Sequence, residues 1–103
     1  MAPGLLESIY RHCIIYELRE RGLNVVAEQI VPIRYGPLIF EDGYRLDLLV
    51  EDSVLVELKA VEVILPVHKA QLLSYLRLSD KPLGLLINFH VPPIRDGIKR
   101  VIH

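Results

Sequence analysis

The sequence has one cysteine, Cys13, so no internal disulfide can form, and its four scattered histidines lack partner cysteines at zinc-finger spacing. A secreted disulfide scaffold and a structural zinc module are both excluded. No apolar run reaches the ~18 residues that a membrane span needs. Met1-Ala2-Pro3-Gly4 also lacks the basic and apolar regions of a secretory leader, so the expected location is the cytoplasm, with no membrane partner. Neither sign of charge is in surplus: 12 basic and 13 acidic residues leave a net charge of -1. No global basic field points to nucleic acid, and any such contact must be local. Repeats and low-complexity tracts are absent.

What is present is an ordinary globular composition, 51% hydrophobic and 24% charged over 103 residues. That length suits a single domain over 1–103, large enough to bury about 65% of its unfolded surface.

Residues 5 to 21 are predicted as a helix, with Pro3 and Gly4 before it, Gly22 as its C-cap, and Arg19 and Arg21 suiting the dipole in its last turn. Residues 23 to 35 are rich in β-formers and end at Tyr35-Gly36-Pro37. A short strand, Leu38 to Phe40, then leads to a turn at Asp42-Gly43. From Tyr44 to Val50 the pattern alternates, with Tyr44, Leu46, Leu48 and Val50 on one face and Arg45, Asp47 and Leu49 on the other. After Glu51-Asp52-Ser53 the alternation resumes, with Val54, Val56, Leu58 and Ala60 opposed to Leu55, Glu57 and Lys59. A second helix starts at Pro66 and stops at Lys81-Pro82. Leu83 to Phe89 reads as a strand buried on both faces, Pro92-Pro93 breaks it, and Ile98 to Ile102 forms a last edge strand. This order predicts an α/β fold with a mixed sheet, in which the crossover through the second helix makes its flanking strands parallel.

The register of the hairpin is the most informative inference. Apolar faces of antiparallel partners must coincide, which requires paired residue numbers to have an even sum. A three-residue Glu51-Asp52-Ser53 loop meets that condition and sets Leu48 against Val56 and Asp47 against Glu57. Like charges directly opposed destabilise a sheet, so something must offset them. A divalent cation is one candidate, with Lys59 beside it to act on water or phosphate. A salt-bridged exposed face, with Lys59 neutralising one acid, would use the same residues.

Polar residues also occupy apolar stripes of both helices. Glu7 falls between Ile14 and Leu18 on the first, where an ion pair with Arg11 is the simplest role. His68, Gln71 and Tyr75 share an arc of the second with Val67, Leu72, Leu76 and Leu78. Burial there would demand hydrogen-bond partners.

These residues carry a family resemblance. Gly4-Leu5-Leu6-Glu7-Ser8-Ile9-Tyr10 matches the GxxExxY signature. Tyr44-Arg45-Leu46-Asp47-Leu48-Leu49-Val50, followed by Val56-Glu57-Leu58-Lys59-Ala60, resembles the Asp…Glu-x-Lys core of the PD-(D/E)XK nuclease superfamily. Gln71-Leu72-Leu73-Ser74-Tyr75 is similar to the QxxxY motif of its RecB-like branch. The resemblance to GxxExxY proteins covers nearly the whole chain. It implies a three-layer, restriction-endonuclease-like core, with a mixed sheet flanked by helices in the order α-β-β-β-α-β. It also implies that Asp47 and Glu57 hold Mg²⁺, or Mn²⁺ in its place. Lys59 then assists the water, Glu7 adds a carboxylate, and Gln71 and Tyr75 support the site. Leu46 stands where related proteins often have proline. Only Pro3-Gly4 remains of an upstream Gly-Pro-Gly segment, so cover for the core would be missing or come from another chain.

The expected function is therefore that of a Mg²⁺-dependent nuclease acting on nucleic acid, with DNA as the expected substrate. The alternative is a non-catalytic binding or oligomerisation module, which the near-neutral charge favours. Arg11, Arg34, Arg45 and Lys69 are candidate phosphate contacts. The first helix carries Leu5, Ile9, Cys13 and Tyr16 on one side and Tyr10, Ile14 and Leu18 on another, more than one sheet can cover, so a homodimer through this helix is expected.

Overall fold

A computed structural model describes residues 3–90 and 97–103, with side chains from Glu7 onward. The elements are α1 (Pro3–Glu20), β1 (Val25–Tyr35), β2 (Leu38–Val50), β3 (Val54–Lys59), α2 (Pro66–Ser79), β4 (Leu83–Asn88) and β5 (Ile98–Ile102). They form a five-stranded sheet in the order β1-β2-β3-β4-β5, antiparallel except for the parallel pair β3 and β4. Pro92 and Pro93, expected to break the chain after β4, lie outside the described residues.

The first helix ends as its sequence predicts. Gly22 takes a φ of 80°, its N–H donates to the Arg19 carbonyl at 3.0 Å, and the N–H of Leu23 reaches back to that of Leu18 at 3.1 Å. This paired closure satisfies carbonyls that the helix end would leave orphaned. At the start of α2, Pro66 occupies the first turn, where its missing N–H costs nothing. His68 Nδ1 accepts the N–H of Leu65 at 2.9 Å, so this side chain caps the helix and does not serve the core.

Two apolar layers flank the sheet. On one face Ile14, Ile15 and Leu18 of α1 pack with Val25, Leu48, Val56 and Leu58. On the other Leu72 and Leu76 of α2 pack with Val31, Leu46, Leu49, Leu55 and Leu86. The sheet is thus the middle of three layers.

The structure departs from the expected alternation in three places. Leu46 and Leu48, two residues apart, belong to opposite layers, as do Val25 and Val31 on β1. Both strands therefore change phase, and they do so together: β1 and β2 pair at Ala27↔Leu48 and Gln29↔Leu46, while Glu28 and Asp47 between them stand out of the ladder. Glu28 adopts a φ of 55°, the left-handed conformation that permits such a step. Tyr44 and Leu46 consequently share a face with Leu49, contrary to simple alternation.

Asp42-Gly43 does not end a strand, since β2 runs unbroken from Leu38 to Val50. The register instead shifts from Val31↔Tyr44 to Ile33↔Phe40, so three residues of β2 oppose Pro32 alone. Pro32 has no N–H to pair there, and β2 bulges past it. Only glycine fits at position 43, because a Cβ would lie 2.7 Å from the Ile33 nitrogen.

The third departure concerns β4, which is not buried on both faces. Gly84, Leu86 and Asn88 are buried towards α2, whereas Leu83, Leu85 and Ile87 are half-buried towards α1. On α2, Val67, Gln71 and Leu78 are exposed, so the inward arc narrows to Leu72, Leu76 and a half-buried Tyr75.

Close packing of α2 on β4 yields a test. A Cβ at Gly84 would lie 2.7 Å from Leu72 Cδ2. Gly84→Ala should cost about 1–3 kcal/mol in urea unfolding. Combining it with Leu72→Ala, which vacates that space, should cost less than the sum of the two single changes.

Candidate active site

The ladder between β2 and β3 pairs Val50↔Val54, Leu49↔Leu55 and Leu48↔Val56, the register required by the apolar faces. Beyond Leu48 the phase change at Asp47 opens a fork, and side chains take over from main-chain rungs. The N–H of Leu58 donates to Asp47 Oδ2 at 2.8 Å, and the N–H of Asp47 points to Glu57 Oε1 at 3.4 Å. Two carboxylates from adjacent strands are thereby brought side by side.

Their surroundings differ. Glu57 is only 5% exposed and lies on the α2 side of the sheet, where Tyr44 donates its hydroxyl to Oε2 at 3.0 Å. Burial, and then the negative charge of Asp47, push the Glu57 carboxyl up to about 7; the Tyr44 hydroxyl, Lys59 and the Asp47 N–H act in the opposite direction. The Tyr44 phenol is itself raised far above its usual range, first by burial and then by Glu57. Asp47 is reached from the α1 side, with Arg11 Nη1 at 3.6 Å from Oδ1. The same guanidinium pairs with Glu28 at 3.3 Å, and Glu28 also pairs with Arg45 at 3.1 Å. The residue that allows the phase change thus also shares the cation beside Asp47.

Lys59 ends β3, two residues beyond Glu57, half-buried and without an ion pair among the described residues. Its carbonyl accepts the N–H of Phe89 at 3.0 Å, which fixes its main chain to the end of β4. Tyr75 reaches the same region from α2, its ring stacked on Tyr44 at 3.7 Å and 17°. Gln71, one turn earlier, is exposed and is not drawn in among the buried polar groups. Glu7 is half-buried on α1, but it does not take the expected ion pair, because Arg11 turns to Glu28 and Asp47 instead. Tyr10 stacks on Phe89 at 4.3 Å and holds this part of α1 against the end of β4.

Three contributors escaped the sequence analysis. Tyr44 was hidden by the assumption of unbroken alternation, and nothing in the sequence marks Glu28 as a left-handed residue. Asn88 could have been noticed as the one amide in an apolar strand. It is 2% exposed, accepts the N–H of Val61 at 3.1 Å and donates to the Val61 carbonyl at 2.7 Å, which ties the crossover after Lys59 to β4.

Among the described residues no three His, Cys, Asp or Glu side chains form a metal-binding cluster. The Asp47–Glu57 pair nevertheless has the donor chemistry of a site for a hard divalent cation, which takes one or two carboxylates and keeps several waters. The unfavourable ionisation of Glu57 beside Asp47 is what such a cation would relieve.

Comparison with known proteins bears on this arrangement. The family model of the PD-(D/E)XK nuclease superfamily matches residues 1–101. No curated protein matches the chain. The crystal structure of SSO0001 is similar to it with a TM-score of 0.70 and 23% identity, over 99% of this chain and 53% of the other. The chain therefore spans about half the length of that protein, and the likeness is one of fold.

The buried carboxyl predicts a pH dependence of stability. Between pH 4.5, the ordinary value for this side chain, and about 7, the folded chain keeps a proton that the unfolded chain has lost. Stability from this group therefore falls as pH rises through that window, and its loss is complete above about 7. In chelator-treated protein at pH 8, Glu57→Gln should raise unfolding free energy by on the order of 2–3 kcal/mol. The gain should vanish near pH 4 in urea titrations.

Proposed function

The chain belongs to the PD-(D/E)XK nuclease superfamily, and from that premise we propose that it is a Mg²⁺-dependent nuclease that hydrolyses phosphodiester bonds, with DNA as the favoured substrate. The observation that carries this reading is the adjacency of the Asp47 and Glu57 carboxylates at the fork, with Lys59 two residues further along the same strand.

Asp47 and Glu57 would hold the ion, Mg²⁺ or Mn²⁺. When bound, it polarises a phosphate oxygen and lowers the pKa of a coordinated water. Asp47 is held for this task by the Leu58 N–H at 2.8 Å, which leaves its Oδ1 facing Arg11. Lys59 orients the attacking water, and as an ammonium it stabilises charge gathering on the phosphate. Glu7 supplies a further carboxylate from α1. Tyr75 supports the site from α2 through its stack on Tyr44.

A second reading, a nuclease-like module that binds without cutting, draws on one specific observation. Two of the four candidate phosphate-binding cations, Arg11 and Arg45, are engaged with Glu28. In either reading a homodimer through α1 is proposed, since Ile9, Cys13 and Tyr16 face outwards on that helix. No helix among the described residues is long and apolar enough to cross a membrane.

Calorimetric titration with Mn²⁺, alongside cleavage of plasmid, single-stranded DNA and RNA, tests the assignment. Asp47→Ala should lose metal binding and cleavage together. Lys59→Ala should retain metal affinity and lose about 100-fold or more in cleavage rate, because an ammonium cannot ligate the ion. Identical metal titrations for the two variants would remove the division of labour, and a wild-type chain that binds metal and nucleic acid without cutting would favour the module. Sedimentation over a concentration series should show a dimer, and a monomer at high concentration would exclude it.

A further inference from the structure

Both oxygens of Glu57 are engaged within the protein, and they are engaged unequally. Oε1 lies 3.4 Å from the Asp47 N–H, a long contact, while Oε2 accepts the Tyr44 hydroxyl at 3.0 Å. The phenol is thus the firmer restraint on the rotation of this carboxylate. Tyr44 is restrained in turn, its ring stacked on Tyr75 with centroids 3.7 Å apart. Tyr44 also lies on β2, three residues before Asp47, so a single strand supplies one carboxylate and the group that aims the other.

We propose that Tyr44 is the positioning residue for the Asp47–Glu57 pair, and that Tyr75 influences the pair through Tyr44. This inference rests on the metal-dependent reading above. The hydroxyl holds Oε2 in place and leaves Oε1 turned towards Asp47, where the two carboxylates can act on one ion. Without it, a long side chain in a cramped site regains rotamer freedom, and the ionised form loses a charge-assisted hydrogen bond. The α2 layer thereby becomes part of the metal site without giving it a ligand: docking of α2 places Tyr75, Tyr75 places the Tyr44 ring, and the Tyr44 hydroxyl places Glu57.

The experiment uses the full chain and Tyr44→Phe, which keeps the stacked ring and removes only the hydroxyl. Mn²⁺ affinity should weaken about 10- to 100-fold, the effect of losing one hydrogen bond to a charged group. The kcat for nucleic acid should fall while KM stays unchanged, a split that a general loss of structure would not give. A second readout needs no metal. The chain has five tyrosines and no tryptophan, so its absorption above about 270 nm, beyond the phenylalanine bands, reports phenols alone. Glu57→Gln should perturb that spectrum in the wild-type and Tyr16→Phe backgrounds, and the perturbation should be largely lost in Tyr44→Phe. Equal Mn²⁺ affinity in wild type and Tyr44→Phe, or a spectral change from Glu57→Gln as large in Tyr44→Phe as in wild type, overturns the role of Tyr44 and leaves the nuclease reading standing. A wild-type chain that binds no Mn²⁺ overturns that reading and this inference with it.

Discussion

A β-hairpin that kept strict alternation would present Leu46 and Leu48 to the same layer, and Val25 and Val31 likewise. In this protein β1 and β2 change phase together at Glu28 and Asp47. Val25 and Leu48 go to α1, while Val31 and Leu46 go to α2. A left-handed non-glycine residue costs on the order of 1–3 kcal/mol. The step it permits also places an aspartate where the ladder stops, and its Oδ2 accepts the N–H of Leu58. The candidate site and the change of layer along β1 and β2 therefore share one geometric origin.

Electrostatics at the fork follow from that geometry. Glu57 is enclosed under Tyr44 and Tyr75, so its charge is desolvated, whereas Asp47 lies near the α1 side and is tempered by Arg11. The two carboxyl groups are chemically alike and electrically different because a phenol covers one and a guanidinium stands beside the other. Arg11 is shared with Glu28, so its charge is divided and does not cancel that of Asp47 alone.

Much of this was legible from residue pattern. The loop Glu51-Asp52-Ser53, the pairing of Leu48 with Val56 and the edge strand from Ile98 follow from period-two alternation and turn chemistry, and the parallel crossover follows from a strand–helix–strand connection. What escaped depended on events that alternation cannot encode. A paired phase change leaves the register numbers intact while exchanging faces, which is why Tyr44 parts from Leu48 and Val50 and why the main-chain ladder ends at Leu48↔Val56, short of the expected pairing of Asp47 with Glu57. The continuity of β2 was hidden because Asp-Gly suits a bulge as well as a turn, and the deciding residue, Pro32, lies on the other strand. The exposure of Gln71 reflects the narrow inward arc of α2, too small a difference for helical periodicity to resolve.

The bulge opposite Pro32 also bears on how the protein meets its neighbours. A sheet whose outermost strand is long and flat invites another chain to add a strand. Here β1 is that strand, 11 residues long, with Val26 and Ile30 exposed along it. Two interruptions guard it: the left-handed Glu28, and Pro32 with its register shift. Neither leaves a straight run of main-chain donors long enough to template a partner strand. On this flank the sheet is closed to growth, and two copies that met there would have to do so through side chains.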